Sequence, residues 1–285
     1  VSKYFVIVAE EDGKFENVTG RAASMAGRPG RFYLYEKTFY QPSPWYAGGP
    51  YVDLLAHGVT DKFMEITMQG YEKTFGGDLK GNVEGVFTDE PEIVSPGGVR
   101  WTPDLFDVFR SEYGYDLSDC LPQLHEEIGD WRKVRHDYFQ LLNRLFVERW
   151  ARPWYDYCAG KGISWTGHYW EHNWPLVTGV TDNMSMAAWQ QVPGIDMLFN
   201  QFNEKSTGAQ FGNIRSVKEV RSIANQLGRR RVLSETYGGG GWNVTFKDMK
   251  RLCDWQMVLG VNLVNQHVGH MSMAGVRKFD YPPMF

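Results

Sequence analysis

The chain is poor in cysteine and lacks a long apolar run, and these absences argue against several classes of protein. Its three cysteines are odd in number and widely spaced, so neither a disulfide scaffold nor a cysteine zinc site is predicted. No run of about 18 apolar residues occurs, so the sequence predicts no membrane span. No signal peptide is recognised, but the chain begins at Val1, close to a predicted strand, so this says little about location.

Basic charge is also scarce. The formal net charge is −4, and the one basic run, Arg229 to Arg231, precedes an apolar strand. Both observations argue against a nucleic-acid partner. No G-x-G-x-x-G pattern follows the first predicted strand, so a dinucleotide is not predicted, and we expect no organic cofactor.

Aromatic residues are abundant by contrast. They make up 15% of the 285 residues, and 11 of them are tryptophan. A hydrophobic fraction of 42% suits a large globular domain with an ample core. Aromatic rings pack such cores, but they also stack on the apolar faces of sugar rings. The composition is therefore compatible with a carbohydrate partner.

Strand-like and helix-like patterns alternate along the chain. Strands are predicted at Arg31 to Phe39, Val83 to Thr88, Ile163 to His168, Met197 to Phe202, Arg231 to Glu235 and Val261 to Gln266. Helices are predicted at Thr60 to Phe75, from Thr102 to Tyr113, Arg132 to Ala159, Ser216 to Leu227 and Phe246 to Leu259. Alternation at this spacing favours parallel βα units.

Two folds are compatible with such units, a doubly wound open sheet and a (β/α)₈ TIM-type barrel. Acidic and aromatic residues at the ends of well-separated strands favour the barrel. Because fewer than eight strands are recognised, we expect residues 31–285 to form an incomplete catalytic barrel, truncated at both ends and part of a larger multidomain protein. Residues 1–30 are predicted to form a β-hairpin insertion or an edge of the barrel.

Two strand ends carry the carboxylates that point to chemistry. One strand runs into Asp89-Glu90-Pro91-Glu92, and another ends at Glu235. Cleavage of a glycosidic bond needs one protonated carboxyl group and one ionised carboxylate. Glu90 and Glu235 are the predicted catalytic pair, with Glu92 as the alternative to Glu90 and Asp89 as a substrate contact. The alternative is that these acids cap helices or pair with arginine.

A second cluster contains His168, Tyr169, Trp170, Glu171 and His172. Its H-x-x-E-H spacing matches an inverted zinc-protease motif, but that motif needs a helix and this segment follows a predicted strand. We interpret the cluster as a sugar-contacting loop, in which histidine and glutamate bind hydroxyl groups and the aromatic rings stack. A purely structural, hydrogen-bonded His168 is the alternative.

Further substrate contacts are predicted near other strand ends. Tyr237 and Trp242 flank a glycine-rich loop, whereas Asn265 and His267 belong to the last strand and the residues after it. Trp45 lies in an aromatic-rich segment after the first predicted barrel strand. No metal ligands are assigned.

Two stretches of the chain resemble a known enzyme family. The sequence GVFTDEPEIVSPGGVRWTPDLFDVFRSEYGY, from Gly85 to Tyr115, is similar to glycoside hydrolases of the family 106 type. So is SETYGGGGWNVTFKDMKRLCDWQMVLGVNLVNQHVGHMSMAGVRKFDYPP, from Ser234 to Pro283. That family comprises bacterial α-L-rhamnosidases and many uncharacterised relatives.

The resemblance implies a catalytic barrel within a longer protein that carries β-sandwich domains and is periplasmic or secreted. It also implies inversion of configuration, paired glutamates and a calcium ion near the sugar. The acid maps to Glu90 or Glu92, because the motif reads D-E-P-E, and the base maps to Glu235. The alternatives are a β-galactosidase-like enzyme on the same barrel, a non-catalytic carbohydrate-binding barrel, and a metal-dependent hydrolase centred on His168 and His172.

Overall fold

The computed structural model describes residues 3–171, 176, 178–198, 207–269, 272 and 274–275, with the backbone alone for residues 207–214. The strands are β1 (Val6–Glu11), β2 (Lys14–Asn17), β3 (Arg31–Tyr35), β4 (Gly85–Thr88), β5 (Ser164–Gly167), β6 (Gly194–Met197), β7 (Leu233–Thr236) and β8 (Leu263–Gln266). The α-helices are α1 (Ala22–Met25), α2 (Val59–Thr74), α3 (Leu105–Tyr113), α4 (Leu117–Cys120), α5 (Trp131–Phe146), α6 (Arg152–Lys161), α7 (Asn183–Ala187), α8 (Thr207–Gln226) and α9 (Phe246–Leu259). None of the helices in these residues is long and apolar enough to cross a bilayer.

The chain divides into two compact units. The first unit contains residues 1–59 and 93–145, and the second contains residues 60–92 and 146–285. The first unit holds an antiparallel sheet in the order β2-β1-β3. The second unit holds two parallel sheets, β4-β5 and β6-β7-β8.

The predicted (β/α)₈ barrel is wrong for the described part of the chain. Its sheets have two or three strands each, and no closed barrel is present. The predicted first barrel strand, Arg31 to Phe39, is β3, which pairs antiparallel with β1, whereas β4 pairs with β5. Among the described strands, only β4 to β8 show the parallel pairing expected of βα units. The pattern of local periodicity is common to open and closed arrangements, so it could not establish closure.

Most predicted elements exist, with shorter bounds for the strands. The helix predicted at Phe246 to Leu259 is α9, which begins with a capping box between Thr245 and Asp248. The long predicted helix is interrupted by a π-helical turn, Val147–Ala151, directly before α6 and its Pro153. The strand predicted at Met197 to Phe202 is instead β6, which ends at Met197, and residues 199–202 lie outside the described residues.

Apolar packing fixes the parallel strands of the second unit. Trp154 of α6 stacks on Trp165 of β5 with ring centroids 6.2 Å apart, and both are fully buried. Trp165 Nε1 donates a hydrogen bond of 3.0 Å to Thr88 Oγ1 at the end of β4. Ile195, Val220, Val232 and Leu252 belong to a second buried cluster that joins α8 and α9 to the β6-β7-β8 sheet. These contacts hold the carboxyl ends of the strands in place.

Candidate active site

Glu235 lies on β7 inside the parallel sheet and is almost fully buried. The strand register pairs it with Asp196 of β6 and with Asn265 of β8. Side chains at paired positions of neighbouring strands project from the same face of a sheet. The three strands therefore carry a row of polar side chains at one level.

His168 is the direct partner of Glu235. It follows the last residue of β5, and its side chain is only 1% exposed. Its Nε2 lies 2.9 Å from Glu235 Oε2 and 3.5 Å from Asp89 Oδ1. The imidazole meets the Phe87 ring edge-on, with centroids 5.5 Å apart. His168 thus connects β7 to the residues that follow β4.

Glycine at position 167 permits this close approach of β5 to β4. Gly167 has a φ of +129°, and a β-carbon there would lie 2.0 Å from the carbonyl oxygen of Thr88. A β-carbon on Gly194 would similarly lie 2.3 Å from the carbonyl oxygen of Gly167. No side chain fits at such distances, so both positions require glycine.

Asp89 and Glu90 follow β4 directly. The Asp89 side chain is exposed, whereas Glu90 is partly buried and has a φ of +44°, which is uncommon for a residue with a side chain. Burial, followed by the neighbouring charge of Asp89, raises the pKa of Glu90 to about 7. One ligand atom each from Asp89, Glu90 and His168 all lie within 4.8 Å of one another. The structure therefore brings Glu90 and Glu235 to the same imidazole ring.

Glu171 is buried and bonded to the backbone rather than open to a ligand. Its carboxylate accepts a hydrogen bond of 3.1 Å from the Tyr169 backbone N–H and another from the Asp196 backbone N–H. It therefore joins the segment after β5 to β6. Burial raises the pKa of Glu171.

Asp196 is a buried acid that the sequence analysis missed. Its Oδ1 is buried and has no hydrogen-bond partner among the described residues. Burial raises the pKa of Asp196 to about 8. The charge of His168 opposes this effect, whereas the charges of Glu235 and Glu171 add to it. The one signal in the sequence was an aspartate between Ile195 and Met197, inside an apolar run.

Two aromatic residues predicted to contact substrate are core residues. Tyr169 is fully buried and packs edge-on against Phe146, with ring centroids 6.1 Å apart. Tyr237 is also buried, and its hydroxyl donates a hydrogen bond of 3.2 Å to the carbonyl oxygen of Met249. Both rings stabilise the second unit and are not free to stack on a sugar.

The other predicted contacts differ in position. His267 lies near the cluster, with Nε2 4.0 Å from Glu235 Oε1, and Asn265 is exposed opposite Glu235. Trp242, in the loop after β7, is 67% exposed. The remaining residues are Glu92 and Trp170, both partly buried in the second unit, Trp45, exposed in the first unit, and His172, which lies outside the described residues.

The group of Asp89, Glu90 and His168 is a candidate for metal binding by distance alone. Calcium prefers six to eight oxygen ligands, and an imidazole nitrogen is not among them. His168 Nε2 also already bonds Glu235. The three groups as placed do not form a calcium site, and the calcium implied by the resemblance remains a prediction. The inverted zinc motif is not supported either, since His168 follows a strand.

A separate cavity of about 530 Å³ lies in the first unit. Its lining includes Trp101, Phe106, Tyr40 and Tyr51 and two acids, Glu36 and Asp53. Glu36 pairs with Lys3 at 2.8 Å, and Asp53 pairs with Arg100. With both acids engaged in ion pairs, this cavity does not offer the two carboxyl groups that bond cleavage needs.

Comparisons with known proteins identify the family of the chain. A family model described as α-L-rhamnosidase, for glycoside hydrolase family 106, matches residues 35–275. A solved structure of a rhamnosidase from Novosphingobium sp. PP1Y has a similar fold, with a TM-score of 0.58 and 22% sequence identity. That similarity covers 83% of this chain and 22% of the rhamnosidase chain, so this chain spans about a fifth of its length. The comparison with curated proteins gave no match. Because the family match covers most of its residues, the chain belongs to glycoside hydrolase family 106, the α-L-rhamnosidase family.

Proposed function

We propose that the chain carries the acid–base centre of a glycoside hydrolase that cleaves an α-L-rhamnoside with inversion of configuration. The supporting observation is a pair of acids in different environments beside one imidazole. Glu235 bonds His168, whereas burial and Asp89 raise the pKa of Glu90 to about 7. Two carboxyl groups with different proton affinities are what a glycosidase uses as its acid and its base.

In this mechanism Glu90 donates its proton to the glycosidic oxygen as the bond to the leaving group breaks. Glu235 removes a proton from a water molecule, and the oxygen of that water attacks the anomeric carbon from the opposite face. The raised pKa keeps much of Glu90 protonated near neutral pH, as an acid catalyst requires. Glu92, two residues further on and partly buried, is the alternative acid.

The substrate is a carbohydrate held by polar and aromatic groups around these acids. Asn265 and His267 lie on the Glu235 side, and Asp89 lies on the Glu90 side. The exposed ring of Trp242 is available for stacking on a sugar face. The β-sandwich domains implied by the resemblance would belong to the longer protein, and they remain an expectation.

The experiment is to assay the purified chain with para-nitrophenyl α-L-rhamnopyranoside and with para-nitrophenyl β-D-galactopyranoside. We expect turnover of the rhamnoside alone and a loss of about 10²–10⁴ in kcat in Glu235→Gln, which keeps the shape but cannot act as a base. Glu127→Gln, at an exposed position in the first unit, is the control and should retain full activity. Turnover of the galactoside alone, or full activity in Glu235→Gln, would contradict the proposal.

A further inference from the structure

Five acids from four segments of the described chain interact with His168. Asp89 and Glu90 face it from the end of β4, Glu171 from the segment after β5, Asp196 from β6 and Glu235 from β7. The His168 ring is 1% exposed and the Glu235 side chain 6%, so water does little to weaken the interaction between these two.

The described ion pairs of Glu235 are with histidines only. His168 Nε2 lies 2.9 Å from one carboxylate oxygen, and His267 Nε2 lies 4.0 Å from the other. At 2.9 Å the contact with His168 is a hydrogen bond, which requires a proton on Nε2, whereas the His267 contact is too long to be one. The buried Glu235 therefore depends mainly on His168 for a compensating charge.

We propose that His168 is a positioning residue that stays doubly protonated at working pH, and that its Nε2–H holds and orients the Glu235 carboxylate as the base. The proposal rests on the proposed function, because it explains how two neighbouring glutamates take different roles. Burial by itself lowers the pKa of His168, but the hydrogen bond to Glu235 and the charge of Glu171 raise it above its ordinary value. Glu90 has no such hydrogen bond among the described residues and keeps its proton more readily.

The protonation state can be measured without turnover. In the full chain labelled with ¹⁵N-histidine, the seven histidines are followed by NMR from pH 5 to pH 9, and the His168 signal is identified by its loss in His168→Gln. We expect His168 to remain an imidazolium at pH 7.5. In Glu235→Gln, which leaves His168 in place, its titration should move down by about 1–3 pH units. A neutral His168 at pH 7.5, or no shift in Glu235→Gln, would overturn the proposal.

Activity provides a second readout. The fall in kcat/KM on the acidic side of its pH profile, the acid limb, reports the pKa of the catalytic base in the free enzyme. Loss of a positive charge beside a catalytic base favours the protonated form of that base, so in His168→Gln this limb should move up by about 1–3 pH units. KM should change little, and His125→Asn in the first unit should have no effect on the limb.

A fall in kcat at all pH values with an unmoved limb would indicate a merely structural role. An inactive wild type would contradict the proposed function but leave the NMR result to decide the role of His168.

Discussion

Asp196 and Glu235 occupy paired positions on neighbouring parallel strands, so two buried carboxyl groups project from the same face of one sheet. Glu235 accepts a hydrogen bond from His168, whereas Asp196 Oδ1 has no partner within the described part of the chain. Two neighbouring buried carboxylates repel each other, so the group without a donor is the one that keeps its proton. Asp196 is therefore the acid that relieves the excess of negative charge in this cluster.

Replacing Asp196 by asparagine should make stability less dependent on pH. The pKa of Asp196 is raised from 3.8 to about 8 in the folded protein, so between these values the folded state binds a proton that the unfolded state has lost. The wild type therefore loses stability as pH rises through this window. Asparagine does not ionise, so this loss is absent in Asp196→Asn. The difference in Tm between Asp196→Asn and wild type should therefore increase from pH 4 to pH 8.

The matched control for this comparison is Asp156→Asn. Asp156 is exposed and pairs with Arg152 at 3.5 Å, a surface contact that contributes little to stability. Its difference in Tm from wild type should be nearly constant with pH. A constant difference in Asp196→Asn would show that Asp196 is ionised across the same range in the folded protein.

The fall in kcat/KM on the basic side of its pH profile, the basic limb, should report the pKa of Glu90. Its pKa is raised to about 7, first by burial and then by the charge of Asp89, so kcat/KM should fall above about pH 7 as Glu90 loses its proton. Asp89→Asn removes that charge and should move the basic limb to lower pH. Glu92→Gln should move the limb down by less than Asp89→Asn does, because the charge of Glu92 contributes less to the raised pKa of Glu90. A limb that disappears in Glu92→Gln and not in Glu90→Gln would make Glu92 the acid.

Local sequence patterns predicted the elements of this fold better than their pairing. The helix predicted at Phe246 to Leu259 is observed with the same bounds, because its cap and its C-terminal glycine are encoded within a few residues. The pairing of β3 with β1 depends on contacts that no local periodicity reports. The predicted barrel failed for this reason, since closure is a property of strand pairing and not of strand content.

In the candidate site, too, some residues were predicted from local sequence and others were not. Glu235, His168 and Glu90 were predicted because acids and imidazoles at strand ends are conspicuous, and the structure brings them together. Asp196 was missed because the prediction began its strand at Met197, whereas β6 ends there. Tyr237 was predicted as a sugar contact, but packing against α9 buries it, and burial of an aromatic ring cannot be told from composition.

Gly167→Ala should disrupt the site through the backbone. The new β-carbon would lie 2.0 Å from the Thr88 carbonyl oxygen, at a φ of +129°, so β5 must shift away from β4 and carry His168 with it. We expect a loss of at least about 1–3 kcal/mol in the free energy of unfolding, measured with urea, together with a loss of activity.

Gly160→Ala is the matched control for Gly167→Ala. Gly160 lies in α6, and a β-carbon there would have nothing within 4 Å. Alanine should stabilise this helix position by about 0.5–1 kcal/mol. Wild-type stability and activity in Gly167→Ala would show that β4 and β5 do not need this close approach.

The stereochemical outcome follows from the role given to Glu235. If Glu235 is a base held by His168, water must fit between its carboxylate and the anomeric carbon, as in inverting enzymes whose carboxyl groups lie about 6.5–9.5 Å apart. A retaining enzyme instead places them about 5–5.5 Å apart and attacks the sugar directly.

We therefore expect an α-L-rhamnoside to release β-L-rhamnose first. Proton NMR in the first minutes of hydrolysis distinguishes the anomers, with added α-L-rhamnose in a parallel sample to measure mutarotation under the same conditions. If α-L-rhamnose appears first and the β-anomer only at the rate of mutarotation, Glu235 acts as a nucleophile and the inverting mechanism is wrong.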